Sequence, residues 1–304
     1  MIDFRSIDVA KRLAPLANTE IVSPADHKER YDEWRSRQDE GGIAMPWEKL
    51  SGLFELKPGT LTMLAGYSGH FKSTVSAQMI LSCMTQGKRV GLASLELELP
   101  QIMDQLIDIG SGTGNPSEEW RNKFFEWTRG KLLVYDRVDA IKPEDATAMT
   151  FAFSDMGCDV VVIDALMMCG LDSEDYGAEK DFTQVIQAIA KSEQLVVLLV
   201  HHARKPSSQG GEATPPTKYE AMGSSNLVNI CNNVLMCWHN KDKAAAINTH
   251  GHYDDDQPCL TLNVAKHRGG KFEGGVGLWQ HHKSRAFCSN SQRKLKPVEF
   301  HHGG

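Results

Sequence analysis

The stretch "LAGYSGHFKSTV", residues 64–75, carries the residue types and spacing of a loop that grips phosphate. Gly66, Lys72 and Ser73 fit G-x-x-x-x-G-K-[ST], in which backbone N–H groups cradle phosphates, the lysine reaches the β and γ phosphates and the hydroxyl holds Mg²⁺. Gly66, Ser68, Gly69, His70, Phe71, Lys72, Ser73 and Thr74 are the residues expected around the bound phosphates. Phe71 stands where the second glycine should be. If φ is positive there, a non-glycine residue costs roughly 1–2 kcal/mol, so the expectation is a strained but usable loop.

Two carboxylates could complete the chemistry. In "VVVIDA", Asp164 follows four apolar residues at the C-terminal end of an expected strand, where it would bind Mg²⁺ through water. The next residue is Ala165, so no acid beside Asp164 can activate water. "GLASLELELP" places Glu96, with Glu98 just after it, at the end of another strand. Glu96 reads as a general base facing the γ-phosphate or as a surface acid after a strand.

The elements that must position these groups are legible as apolar runs alternating with helical periods. Strands are expected at 59–65, 88–96, 131–136, 158–166 and 195–202, and helices at 72–86, 100–109, 118–130, 143–155 and 180–193. Uniformly apolar strands separated by helices belong to a parallel sheet buried on both faces. After His202 a stretch rich in Gly, Pro, Ser and Thr reads as a long functional or disordered loop. The later strands "NNVLMCWHN", "PCLTLNVAKHR" and "GVGLWQHH" follow without helices and imply an antiparallel extension. The expected division is an N-terminal arm over 1–45, a core over 46–290 and a tail over 291–304. Within the arm, a helix opens at Ser23-Pro24 and stops at Gly41-Gly42, with Tyr31 and Trp34 on one face. It is a solvated arm or one exchanged between subunits.

In the 304-residue chain 41% of residues are hydrophobic, enough for a sizeable core. The N-terminus lacks the apolar stretch of a signal peptide, and no apolar run is long enough to span a bilayer, so no membrane role is expected. Seven cysteines without a C-x-x-C pair point to a reducing compartment and no structural zinc. A formal charge of −6 leaves room only for a local nucleic-acid site. "THGHYDDD" offers His250, His252 and Asp254 as metal ligands, or simply a polar hairpin tip.

Taken in order, the motifs resemble hexameric replicative helicases of the DnaB type, including the helicase halves of phage primase-helicases and mitochondrial Twinkle. The resemblance runs from about Leu53 to Phe287. It implies a RecA-like phosphate-loop α/β core and an ATP-dependent DNA helicase moving on single-stranded DNA as a homo-hexamer or other ring. It also implies Mg²⁺, ATP or other nucleoside triphosphates, primase or polymerase as further partners, and the cytoplasm of a bacterium or phage-infected cell. By this resemblance Glu96 is the catalytic base and Asp164 the metal-binding aspartate. "LLVHHARKP" makes His202 the phosphate sensor and puts Arg204 and Lys205 in a DNA-contacting loop. "VAKHRGGKFEG" resembles a K-x-R finger acting on a neighbour, giving Lys266 and Arg268. Met222 replaces the usual adenine-stacking arginine and His281 falls at its aromatic partner, which implies loose base recognition. No primase is visible. The alternative is a RecA-like DNA-binding ATPase, recombinase-like or a helicase loader, that does not unwind.

Overall fold

The computed structural model describes residues 3–17, 21–137, 139–171, 175–203, 215, 225–241 and 257–300. In chain order the elements are α1 (Val9–Ala17), α2 (Lys28–Asp39), β1 (Ile43–Ala44), β2 (Glu55–Leu56), β3 (Thr60–Gly66), α3 (Lys72–Thr85), β4 (Val90–Ser94), α4 (Leu99–Ser111) and α5 (Glu118–Thr128). They continue with β5 (Leu132–Tyr135), α6 (Pro143–Asp155), β6 (Val160–Asp164), α7 (Tyr176–Glu193), β7 (Val196–His202), α8 (Ser225–Ile230), β8 (Asn233–His239), β9 (Leu260–His267), β10 (Gly274–Gln280) and β11 (Phe287–Cys288).

Among the described residues, nine strands form one sheet in the order β11-β10-β9-β8-β3-β7-β6-β4-β5. Strands β8 through β5 in that order run parallel, and β9, β10 and β11 are antiparallel. Side chains alternate between faces, as a strand's period of two requires. Leu64, Leu92, Val162 and Leu198 enter one apolar layer with α3 and α4, whereas Met63, Ala93, Ile163 and Leu199 enter the other with α6 and α7. Both faces are therefore dry, which is why these strands are apolar at nearly every position.

One expectation needs correcting. "NNVLMCWHN" is not part of the antiparallel extension: β8 lies parallel to β3, with Gly66 opposite Cys237, and the antiparallel part starts at β9. The short α8 precedes β8 within the long connection from β7 that a parallel neighbour needs. The strand's composition cannot distinguish the two directions, because it is buried either way.

Segments near both termini pack on this frame. Arg12 of α1 bridges Asp155 of α6 and Glu193 of α7 at 3.0 and 3.1 Å and lies over the Phe151 ring. Trp47 is buried, with its indole N–H donating to Phe287 O at 3.1 Å, and Gln78 of α3 makes a two-way amide pairing with Phe287. Near the C-terminus, Phe300 meets Trp120, Phe124 and Trp127 of α5. In α2, Tyr31 and Trp34 stay exposed and touch each other.

The phosphate-loop end of β3 depends on a close approach. A Cβ at Gly66 would lie 2.6 Å from Cys237 O, a backbone atom that cannot swing aside. Gly66→Ala is expected to push β3 from β8 and lower unfolding stability by about 1–3 kcal/mol in urea titration. An alanine variant as stable as the native chain would show that this approach is not a constraint.

Candidate active site

The loop from Gly66 to Lys72 joins the C-terminal end of β3 to the first turn of α3, at the edge where parallel sheets of this kind expose their ligand crevice. The register brings the other groups to the same edge. Gly66 pairs with His202, the last residue of β7, and Ser94 pairs with Asp164, the last residue of β6. Glu96 lies two residues beyond the end of β4.

Phe71 has φ 61° and ψ 23°, the left-handed conformation that its glycine-like position implied. Its ring offsets part of the strain by packing edge-to-face on His239 at 4.7 Å and on Phe287 at 5.3 Å. The loop keeps its shape without the second glycine. Ser68 and Gly69 are exposed, Gly69 with φ 74°, while Thr74 is buried and accepts from Gln105 Nε2 at 3.3 Å.

Lys72 is buried, and its ammonium donates to Tyr67 O at 2.9 Å. Desolvation pulls its pKa down, opposed by Cys237, Asp164 and Glu96. His202 bridges the lysine and the proposed base, with Nδ1 3.4 Å from Lys72 Nζ and Nε2 3.4 Å from Glu96 Oε1. Burial, followed by the charge of Lys72, lowers the His202 pKa. A neutral ring fits both contacts, with Nε2–H turned to the carboxylate and the Nδ1 lone pair to the ammonium. Glu98 is engaged elsewhere: it pairs with Gln101 as the capping box of α4, its N–H donating to Gln101 Oε1 at 3.0 Å. Of the two glutamates, only Glu96 reaches the lysine and histidine.

Asp164 is buried beside these groups and its pKa is raised to about 6, chiefly by desolvation and then by Glu96, with Lys72 and a hydrogen bond from Ser73 opposing. A hydroxyl and a carboxylate already in contact are hard oxygen donors of the kind Mg²⁺ takes, so these residues fit that ion. A cation there would also relieve the crowded carboxylates.

The other candidates lie apart. Lys266 donates to Val228 O, Asn229 O and Cys231 O at 2.6, 3.1 and 2.8 Å, and Arg268 donates to Asn229 O at 2.8 Å, so both cap the C-terminal end of α8. His281 contacts Ser284 Oγ at 3.0 Å in a cleft of about 760 Å³ with Asp104 and Asp108, a cleft lined by none of residues 66–74. Arg204, Lys205, Met222, His250, His252 and Asp254 fall outside the described residues. Among the described residues, no group of three or more His, Cys, Asp or Glu is arranged to hold a metal, and no helix is long and apolar enough to cross a membrane. Sequence reasoning gave no separate role to Tyr67, Phe287 or His239.

The family model described as an AAA domain matches residues 37–208, from within α2 to just past β7, more than half of the chain. The chain belongs to the AAA domain family. Comparison with curated proteins finds no match. Among solved structures, this AAA domain chain is similar to an ATPase domain, with a TM-score of 0.71 and 14% identity over 89% of this chain and 99% of the other. It is also similar to a DnaB-like replicative helicase whose structure was determined with its interactions with primase, with a TM-score of 0.67 and 14% identity over 89% and 67% of the two chains. At that identity the likeness is one of fold, and it bears out the RecA-like α/β core.

The raised pKa of Asp164 has a definite sign. In the unfolded chain the carboxyl ionises near its ordinary value of 3.8, whereas the folded chain holds the proton to about 6. Asp164 therefore subtracts stability as pH rises through that window, by on the order of 3 kcal/mol once both states are ionised. Without nucleotide or Mg²⁺, Asp164→Asn should melt several degrees higher than the native protein at pH 7.5, and the gain should vanish toward pH 4. A gain that grew on acidification would refute the burial argument.

Proposed function

We propose that this protein is an ATP-driven motor that moves along single-stranded DNA as a ring and separates duplex DNA, with Arg268 of one copy completing the ATP site of the next. What supports the reading is the gathering of Lys72, Ser73, Glu96, Asp164 and His202 at one sheet edge, with Arg268 at the other end of the same sheet. Lys266 pairs with Val234, and Val234 with Met63, three residues before Gly66. Arg268 lies further back, its N–H bonded to Asn232 O. At about 3.3 Å per residue, this sets Arg268 on the order of 15 Å from the phosphate loop along the strands, too far to serve its own Lys72.

Each residue's role follows from its chemistry. Lys72 gives the β and γ phosphates a fixed cation, and the loop N–H groups with the N-terminus of α3 add partial positive charge. Ser73 and Asp164 would hold Mg²⁺, which supplies charge to the phosphate oxygens when bound. Glu96 takes the proton of the attacking water, the work left open by Ala165. A phosphate oxygen arriving at Lys72 would compete with His202 Nδ1, so the histidine would shift as the site fills and pass that state to residues 204 and 205, which follow it closely in the chain. Arg204 and Lys205 are proposed to contact DNA, and His281 to lie near the base. The remaining proposals are the domain limits 1–45, 46–290 and 291–304.

Lys72→Ala should abolish hydrolysis. Glu96→Gln should bind a fluorescent ATP analogue with near-native affinity while turnover falls about 10²–10⁴-fold. If the Glu96→Gln protein turned over at the native rate, Glu96 would not be the base.

Sharing of the site is tested by mixing. Arg268→Ala should still bind ATP but lose roughly 10³–10⁵ in turnover. Combined with Lys72→Ala, and with subunit exchange verified, it should regain hydrolysis where an intact Lys72 site meets an intact Arg268. A mixture as inactive as its parents removes the shared-site ring. A native protein that hydrolyses ATP on DNA yet leaves a forked duplex paired supports the RecA-like ATPase without unwinding.

A further inference from the structure

β8 outruns β3. The parallel pairing ends with Gly66 opposite Cys237, and β8 continues to His239. Along a strand, alternate N–H groups face opposite edges. The Asn240 N–H turns to β9, donating to Cys259 O at 3.1 Å, so the His239 N–H faces the edge that β3 has already left. There it meets the His70 side chain, whose Nδ1 accepts it at 3.0 Å. A backbone N–H can only donate, so Nδ1 is the acceptor and the proton of a neutral ring sits on Nε2.

His70 is a loop residue, yet it is 0% exposed. Its ring stands edge-on to Tyr67 at 5.2 Å, and its own N–H donates to Tyr67 O at 3.2 Å. That carbonyl is the one that holds Lys72 Nζ. On the other side of the next residue, the strained Phe71 leans its ring on the ring of the same His239. The phosphate loop is thus fastened to β8 twice, by the close backbone approach at Gly66 and by an imidazole that stands in for the next carbonyl of β3.

We propose that His70 is a positioning residue that holds the loop, through the His239 N–H, in the shape that presents Lys72 to phosphate, and so makes a left-handed Phe71 tolerable next to it. The proposal rests on the reading of this loop as an ATP site. Releasing the tether lets the loop populate shapes that cannot bind. Apparent affinity then falls by the competent fraction, while the bound state, which selects the competent shape, reacts much as before.

The test compares His70→Ala, His70→Gln and His70→Asn. The asparagine Oδ1 can stand where Nδ1 stands, whereas the glutamine amide corresponds in reach to Nε2. H70A and H70Q should raise KM for ATP by about tenfold with a much smaller fall in kcat, the ratio expected for one lost hydrogen bond of this kind, and H70N should recover most of that loss. Equal KM in H70A and the native protein, an asparagine variant no better than alanine, or kcat falling in step with KM overturns the proposal. Hydrogen exchange at the His239 amide, read without nucleotide, decides independently of catalysis. Protection in the native protein and H70N, with fast exchange in H70Q, supports the tether, and fast exchange in the native protein overturns it. If the native protein binds no ATP while that amide stays protected, the ATP-site reading fails and the tether stands.

Discussion

The constraint on which the rest of this structure depends is an ammonium held out of water. Lys72 lies at the start of α3, whose N-terminus is already electropositive, in a place where desolvation works against its charge. A cation there persists only if negative groups are brought to it, and the fold brings them from separate strands. Tyr67 O comes from the loop itself, Asp164 from the end of β6 and Glu96 from just past β4. The carboxylates in turn need the lysine, because Asp164 is buried next to Glu96. On the proposed reading, phosphate and Mg²⁺ would enter a site in which positive and negative charge already oppose each other at close range. Binding exchanges these internal partners for external ones, and no bare charge has to be created.

That arrangement explains why the sheet is parallel at its centre. Four strand ends must open on one edge, and only parallel neighbours bring their C-termini together. Gly66 opposite His202 and Ser94 opposite Asp164 are consequences of that register. A slip of one residue would send His202 or Asp164 to the wrong face. The uniformly apolar strands make such a slip costly, since both faces are packed against helices.

Much of this is legible in the sequence because it rests on local pattern. The strand ending in Asp164 and the loop carrying Lys72 and Ser73 are short motifs set between apolar runs, and the helix expected over 143–155 has those bounds, Pro143 and Asp155, in the structure. What escapes depends on contacts far apart in the chain. Glu96 and Glu98 are two apart just past the end of β4, so spacing alone cannot separate them. The α4 capping box does, by occupying Glu98. The direction of β8 is hidden by its buried composition and by a six-residue crossover helix too short to show a period. The partner of His70 lies 169 residues away, and no local rule links the two.

Lys266 lies in β9 and Arg268 just past its end. Both side chains lie on the carbonyls that end α8, and α8 leads directly into β8, whose far end anchors the phosphate loop at Cys237 and His239. One strand therefore has the proposed finger for a neighbour's site near its start and the fastening of its own site at its finish. Between Asn233 and Cys237, β8 is buried and paired with β3 on one edge and β9 on the other. On the proposed reading, β8 is the route by which a displacement of the finger at a neighbour's phosphate would reach the loop that holds this chain's Lys72. In the proposed ring, β8 would join the residue that gives charge to one site to the loop that shapes the next.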